Sequence, residues 1–201
     1  MPDAVLLEWE AVLADTGSAR RDALLRALAD EGVPWTAAAY DACCGGLDVR
    51  AAAARGLAAA GRDDATLADI VALRANRAFG EWLSRGFVLQ PDVREQLEAM
   101  EPRTRLAIVT RAGRAETETA LRLVGLDRSV GIVVTADEVT DLPPAPELYE
   151  RALMQLARSR PVRAERVVAV VRAPDAAASA RAAGIRTVHS LAGIAGVPEL
   201  V

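Results

Sequence analysis

The carboxyl-terminal half of the sequence alternates between short apolar runs and amphipathic runs, and this order constrains the fold more than any other feature. The apolar runs predict strands at Leu106–Val109, Gly131–Val134, Val167–Val171 and Thr187–Val188. The amphipathic runs predict helices at Val93–Met100, Glu116–Val124, Glu147–Arg158 and Asp175–Ala183. Regular alternation of this kind favours right-handed βαβ units that assemble into a parallel sheet.

A further strand and a group of helices precede this region. Val5–Leu7 predicts a buried strand that joins the same sheet. Four helical patterns follow it with no strand between them: Ser18–Glu31, Thr36–Cys44, Asp48–Ala60 and Ala65–Ser84. The predicted fold class is therefore α/β, a three-layer Rossmann-like parallel-sheet core with an inserted four-helix cap. We expect the core at residues 1–16 and 86–201, and the cap at 17–85, over the carboxyl ends of the strands.

Composition argues against a nucleic-acid partner and against lysine-dependent catalysis. All 24 basic residues are arginines, and the formal net charge is -4. No basic stripe stands out, so the sequence does not predict a nucleic-acid partner. Because the chain has no lysine, every mechanism that requires one is excluded.

The two cysteines and the hydropathy pattern bear on location. Cys43 and Cys44 are adjacent, which disfavours a disulfide between them, and we expect them to be reduced. Packing within the cap explains the pair more simply than a reactive thiol site does. No signal peptide and no apolar run of 18 residues is evident, so the sequence predicts a cytoplasmic protein with no membrane segment.

Two acids mark the end of the first strand. Glu8 and Glu10 follow the apolar run, and chemistry in open α/β sheets occurs at the carboxyl ends of the strands. Three further sequence landmarks follow along the chain: Ile108-Val109-Thr110, Pro143 to Tyr149, and Ala182-Ala183-Gly184. Together they resemble the haloacid dehalogenase superfamily, in particular its helical-cap members, which include phosphoglycolate phosphatase and β-phosphoglucomutase.

The resemblance implies a set of catalytic positions. In that family the first strand ends in Asp-x-Asp, a nucleophile followed by a general acid and base, and Glu8 and Glu10 occupy these positions. A shift of about an ångström in a reacting carboxylate costs about a hundredfold in rate, so the longer glutamate side chains predict a loss of catalytic activity. Thr110 matches the hydroxyl that binds the phosphoryl group, and capping of the following helix is its alternative role. Pro143 stands where the family has a lysine.

The resemblance also implies a magnesium site, and at this site the sequence differs most from the family's pattern. Val171 and Arg172 occupy the positions of the acidic pair that holds the metal. A guanidinium about 5 Å from a divalent ion is repelled by roughly 7 kcal/mol at an effective dielectric near 20. We therefore expect that magnesium is lost, that no cofactor replaces it, and that Arg172 fills the metal position and pairs with Glu8 or Glu10. Arg111 and Arg114 either replace the lysine or are solvated surface residues.

Two functions follow. The first is a haloacid dehalogenase-like pseudoenzyme without phosphatase activity, retained to bind an unknown protein, a small molecule or a second copy of itself. The alternative is a weak or atypical hydrolase with Glu8 as nucleophile, Glu10 as acid and base, and Thr110 on the phosphoryl group. In that case Arg172 or Arg111 replaces both magnesium and lysine. Trp9 and His189, the sole histidine, are expected to have structural or surface roles.

Overall fold

The computed structural model describes residues 2–9, 16–44, 47–86, 89, 92–100 and 104–197. The chain forms two compact units, one of Met1–Asp15 with Phe87–Val201 and the other of Thr16–Gly86. The first unit contains the strands β1 (Ala4–Glu8), β2 (Arg105–Val109), β3 (Ile132–Val134), β4 (Val167–Val170) and β5 (Arg186–Val188). Its helices are α5 (Val93–Met100), α6 (Arg114–Leu123), α7 (Glu147–Ser159) and α8 (Pro174–Ala182). The second unit contains α1 (Gly17–Asp30), α2 (Ala37–Cys43), α3 (Val49–Ala59) and α4 (Ala65–Ser84).

The five strands form one parallel sheet in the order β3-β2-β1-β4-β5, which confirms the predicted fold class. β1 lies at the centre, and Ala4, Val5, Leu6 and Leu7 are all completely buried. Since successive side chains of a strand point to opposite faces, helices must cover both faces of this sheet.

One face of the sheet carries the larger described core of the first unit. Leu6 of β1, Ala107 of β2 and Ala169 of β4 lie side by side on it. Leu148 of α7 and Ala180 of α8 pack against the same cluster. These small and branched side chains let α7 and α8 approach the sheet closely, which brings the residues around both helix starts to the carboxyl edge of the sheet.

The strand order places a crevice at the middle of the sheet. From β1 the chain proceeds to β2 and β3 on one side, and then to β4 and β5 on the other. The order therefore reverses between β1 and β4, and ligands of open α/β sheets bind in the crevice outside the carboxyl ends at such a point. The residues that leave these two strands, Glu8 and Val171, lie at this crevice.

In the second unit, local caps define the helices. Thr36, Asp48 and Asp64 each accept a hydrogen bond from a backbone N–H three residues on, at 3.1, 2.9 and 3.0 Å, which satisfies donors that a helix start leaves unpaired. Gly32 and Gly61 have positive φ angles of 75° and 73° after the ends of α1 and α3. These signals are local, so the four predicted helices are confirmed to within two residues at each end.

The start of α6 differs from the prediction, which placed it at Glu116. The helix begins at Arg114, whose backbone N–H donates to Asp137 Oδ2 at 2.6 Å. A carboxylate 23 residues away thus caps this helix, and no local sequence signal marks the start.

In the described part of the chain no helix has both the length and the apolar character needed to cross a membrane. The predicted helix break at Gly45-Gly46 lies outside the described residues.

A substitution at Gly56 tests the packing of the second unit. A Cβ atom there would lie 2.8 Å from Leu28 Cδ1 and 2.9 Å from the Trp35 ring, so Gly56→Ala should lower the free energy of unfolding by about 1 kcal/mol, overpacking outweighing the helix propensity gained. Gly80→Ala is the matched control, since a Cβ there meets no atom within 4 Å and the change should stabilise the helix by about 0.5–1 kcal/mol. Urea denaturation measures both changes. Equal shifts in the two variants would contradict the packing described here.

Candidate functional site

Glu8 ends the central strand, and its carboxylate spans the crevice between β1 and β4. The half-buried side chain accepts hydrogen bonds at Oε2 from the backbone N–H groups of Arg172, at 2.8 Å, and of Ala173, at 3.4 Å. A carboxylate that accepts N–H bonds is held in a fixed geometry by charge-assisted contacts. These hydrogen bonds therefore hold Glu8 against the segment after β4, which corresponds to the magnesium-binding segment of the resembled family.

Arg172 is an exposed residue, and its described contact with Glu8 runs through its backbone. The expectation of a side-chain pair came from the cost of burying either charge alone, and exposure of Arg172 removes that part of the argument. Occupation of the metal position by the guanidinium stays a prediction.

Arg111 and Asp175 form an ion pair at the same edge of the sheet. Arg111 Nη2 lies 2.7 Å from Asp175 Oδ2, and their side chains are 18% and 33% exposed. Asp175 lies in the first turn of α8, where the helix dipole favours a negative charge. Its Oδ1 also accepts from the backbone N–H of Ala176 at 2.9 Å. The guanidinium predicted as a replacement for the lysine thus binds a carboxylate of the same unit.

Tyr149 of α7 lies within electrostatic range of this pair and is 1% exposed. Burial raises the pKa of its hydroxyl far above the usual value, and the charges of Glu8 and Asp175 raise it further, while Arg111 opposes them. The hydroxyl is therefore protonated throughout the physiological range. Charged groups from β1, the β2–α6 turn and α8 thus all act on the hydroxyl of this α7 residue.

Thr110 follows β2 and is 4% exposed. Its Oγ1 accepts the backbone N–H of Ala112 at 3.0 Å, and its own N–H donates to the carbonyl of Val134 at 3.0 Å. The hydroxyl therefore closes the turn before α6, whose N-cap residue is Gly113. Helix capping, the structural alternative considered for Thr110, is replaced by this turn contact.

Arg114 belongs to a different network. Its guanidinium binds Glu118 at 3.1 Å, the carbonyl of Val133 at 2.8 Å, and Glu138. These partners lie on α6 and around β3. The described contacts of Arg114 thus assign it to that side of the sheet, whereas Arg111 reaches α8.

The segment that carries Pro143 is fixed from both ends. Glu147 Oε2 accepts the backbone N–H groups of Thr140, at 3.0 Å, and of Asp141, at 2.8 Å. The hydroxyl of Ser179 on α8 donates to the carbonyl of Ala145. The segment is therefore held against α7 and α8, and Pro143 brings no side-chain cation to it.

The described residues do not fit a magnesium ion. No group of three or more metal-binding side chains occurs among them, and Val171 and Arg172 supply no carboxylate. Glu8 Oε2 and Asp175 Oδ2 are committed to backbone N–H groups and to Arg111. Magnesium requires a cluster of oxygen ligands in near-octahedral geometry. Glu10, the second predicted acid, lies outside the described residues.

The cysteine pair lies in the core of the second unit. Both thiols are free, with the two Sγ atoms 3.8 Å apart, and Cys44 is buried. Burial, with a contribution from Cys43, raises the pKa of the Cys44 thiol to about 11. Since the thiolate is the reactive form, Cys44 has the properties of a packing residue.

Trp9 and His189 have the positions expected of structural or surface residues. Trp9 is 1% exposed and is among the largest buried side chains. His189 is exposed, and its Nδ1 lies 3.1 Å from the carbonyl of Val171. It belongs to no metal-binding group in the described ranges.

Comparison with known proteins decides the family. The model of the haloacid dehalogenase-like hydrolases matches residues 11–190. The chain belongs to this family. Protein CbbY of Rhodobacter capsulatus is 32% identical over 196 residues, which cover 92% of this chain and 83% of that protein.

Solved structures of the family share the fold. A crystal structure of CbbY from Rhodobacter sphaeroides in complex with phosphate has a TM-score of 0.80 at 25% identity, over 93% of this chain and 85% of that one. A putative β-phosphoglucomutase from Thermotoga maritima has a TM-score of 0.73 at 27% identity, over 99% and 94% of the two chains. The family and the helical-cap relatives inferred from the sequence landmarks are thereby confirmed.

The sequence patterns assign no role to Asp175 or Tyr149, although Asp175 pairs with Arg111 and Tyr149 lies within electrostatic range of Glu8. Asp175 follows Pro174 shortly after a strand, a pattern that predicts an acid in the first turn of a helix. That signal was available for Asp175. Tyr149 gives no such signal, because an aromatic residue on the apolar face of a helix is ordinary core.

The hydrogen bonds to Glu147 predict a pH dependence. The N–H groups of Asp141 and Thr140 hold the pKa of Glu147 below its usual range, so this carboxylate contributes stability above that range and loses the contribution as pH falls through its folded pKa. Glu147→Gln should therefore lower the melting temperature at pH 7, and the difference from wild type should shrink as the pH falls below the usual pKa range of a glutamate and through the lowered pKa of Glu147. Glu150→Gln, an exposed position on the same helix, is the control and should change little over the same pH range. A difference that persists undiminished in acid would contradict this role.

Proposed function

We propose that this haloacid dehalogenase-like protein does not hydrolyse phosphate esters, and that its altered strand edge serves to bind a small molecule or another protein. The observation that carries the proposal is the hydrogen bond from the Arg172 backbone to Glu8 Oε2 at 2.8 Å. It ties the carboxylate at the nucleophile position to the segment that would otherwise carry the metal ligands.

The charges around Glu8 support the same proposal. A phosphatase of this family requires a cation to neutralise the phosphoryl oxygens; the chain has no lysine, and the described residues of this edge form no set of metal-binding acids. Arg111 is neutralised by Asp175. An incoming phosphate dianion would have to compete with Asp175 for that guanidinium, and it would meet the negative charge of Glu8 nearby.

An atypical hydrolase is the second candidate. The pairing of Glu8 with Val109 favours it, because this register places Thr110 one residue beyond the partner of the proposed nucleophile. In this candidate Glu8 attacks, Glu10 acts as acid and base, and Arg172 or Arg111 replaces the metal and the lysine. We rank it second because the N–H bonds to Glu8 Oε2 weaken that oxygen as a nucleophile and fix its position.

A hydrolysis assay separates the two candidates. We expect wild-type protein and Glu8→Gln to release p-nitrophenol from p-nitrophenyl phosphate at the buffer rate, with and without magnesium, because the edge cannot stabilise the transferring phosphoryl group. An active phosphatase run in parallel verifies the assay.

Glu150→Gln controls for contaminating activity and for the loss of one negative charge. Turnover that disappears in Glu8→Gln and persists in Glu150→Gln would overturn the non-hydrolytic proposal. If that turnover required magnesium, a metal site would have to exist at this edge.

A further inference from the structure

The amino-terminal ends of the strands, on the edge opposite Glu8, border a cavity. Its volume is about 830 Å³. Its walls come from the segment before β1, the starts of β2 and β3, the turn before β3, and the carboxyl end of α7. All of these segments belong to the first unit. The cavity thus lies outside the site discussed above and within the size range of small-molecule sites.

The lining is strongly basic in a protein whose net charge is negative. The lining contains four arginines and one carboxylate. The arginines are Arg105, Arg128, Arg158 and Arg160, and the carboxylate is that of Asp3. Asp3 is already neutralised by Arg166, which is not in the lining, at 3.1 Å. That hydrogen bond lowers the pKa of Asp3 and outweighs the opposing effect of burial, and the positive charges of Arg160 and Arg105 lower the pKa further. The cavity therefore presents a positive field to an incoming molecule.

Arg105 is held in the wall of this cavity by backbone carbonyls and a hydroxyl, and not by an ion pair with a described carboxylate. Its Nη1 donates to the carbonyl of Leu156 at 2.9 Å and lies 3.3 Å from Ser159 Oγ. Its Nη2 is buried and has no hydrogen-bond acceptor among the described residues. The contact with Leu156 satisfies a carbonyl at the end of α7, and the carboxylate of Asp3, which already pairs with Arg166, offsets only part of the guanidinium's charge. A rigid cation of this kind is prepared for an anion, because little side-chain entropy remains to be lost on binding.

The wall also contains apolar side chains. Leu106 and Leu156 are buried, whereas Ile132 at the start of β3 is partly exposed. Arginine forks match phosphate oxygens in a bidentate geometry, and an apolar wall beside them suits a flat organic group. The lining thus offers arginines for phosphate oxygens and, at Ile132, an accessible apolar contact for the organic part of a phosphorylated molecule.

We propose that this cavity binds a nucleoside polyphosphate, with the phosphates on the arginines and the base or ribose against Ile132. The site is independent of the function proposed for the Glu8 edge. Binding at it requires neither a metal nor hydrolysis.

Fluorescence titration of the full chain with a fluorescent ATP analogue in metal-free buffer tests the proposal. We expect saturable binding that weakens as ionic strength rises, because the contacts are charge pairs. Unlabelled ATP should displace the analogue, whereas adenosine and tripolyphosphate should each displace it at least tenfold less effectively.

Paired variants locate the site. Arg128→Gln with Arg158→Gln should weaken binding at least tenfold. The matched double variant Arg163→Gln with Arg181→Gln has the same charge change at exposed positions outside the lining and should bind as wild type. Arg111→Gln should also leave the affinity unchanged, since that residue lies at the opposite edge of the sheet. If the first double variant fails to fold by circular dichroism, Arg160→Gln alone replaces it, with at least threefold weaker binding expected.

Four results would overturn the proposal: no saturable binding, equal affinity in the lining and control variants, loss of binding in Arg111→Gln, or displacement by tripolyphosphate as effective as displacement by ATP. The last result would assign the site to a bare polyanion and remove the role of the apolar wall.

Discussion

The complete burial of residues 4–7 of β1 is the constraint on which the sheet and the candidate site depend. Val5, Leu6 and Leu7 lie between two parallel neighbours and expose no surface, so helices must cover both faces of the strand. A strand in this position has one register, because a slip of one residue would move each side chain to the other face. Glu8 is therefore delivered to the carboxyl edge, between the ends of β2 and β4.

At that edge the polar groups satisfy one another. Glu8 accepts N–H bonds from the segment after β4, Arg111 pairs with Asp175, and Thr110 closes its own turn. Polar groups held in a low-dielectric setting are costly unless they have partners. In an active phosphatase some of these polar groups stay available to metal and substrate, whereas here the described groups are largely paired with one another. This difference, rather than any loss of fold, is the physical basis of the non-hydrolytic proposal.

Local patterns predicted the fold well because its signals are local. The apolar run at Val5–Leu7, the caps at Asp48 and Asp64, and the positive-φ glycine at Gly32 each act within a few residues. The site was predicted less completely because its contacts cross the sheet. The ion pair of Arg111 joins residues more than sixty positions apart in the chain, and sequence alone could not choose between this partner, a phosphate and solvent.

The central claim is that the carboxylate of Glu8 is held by the protein and is unavailable to metal and phosphoryl group. Crystals grown with magnesium and beryllium fluoride, a mimic of the transferred phosphoryl group, test it most directly. We expect electron density with Glu8 Oε2 hydrogen-bonded to the Arg172–Ala173 backbone and with no fluoride adduct or ion on the carboxylate. A beryllofluoride bound to Glu8 beside a coordinated magnesium would contradict it.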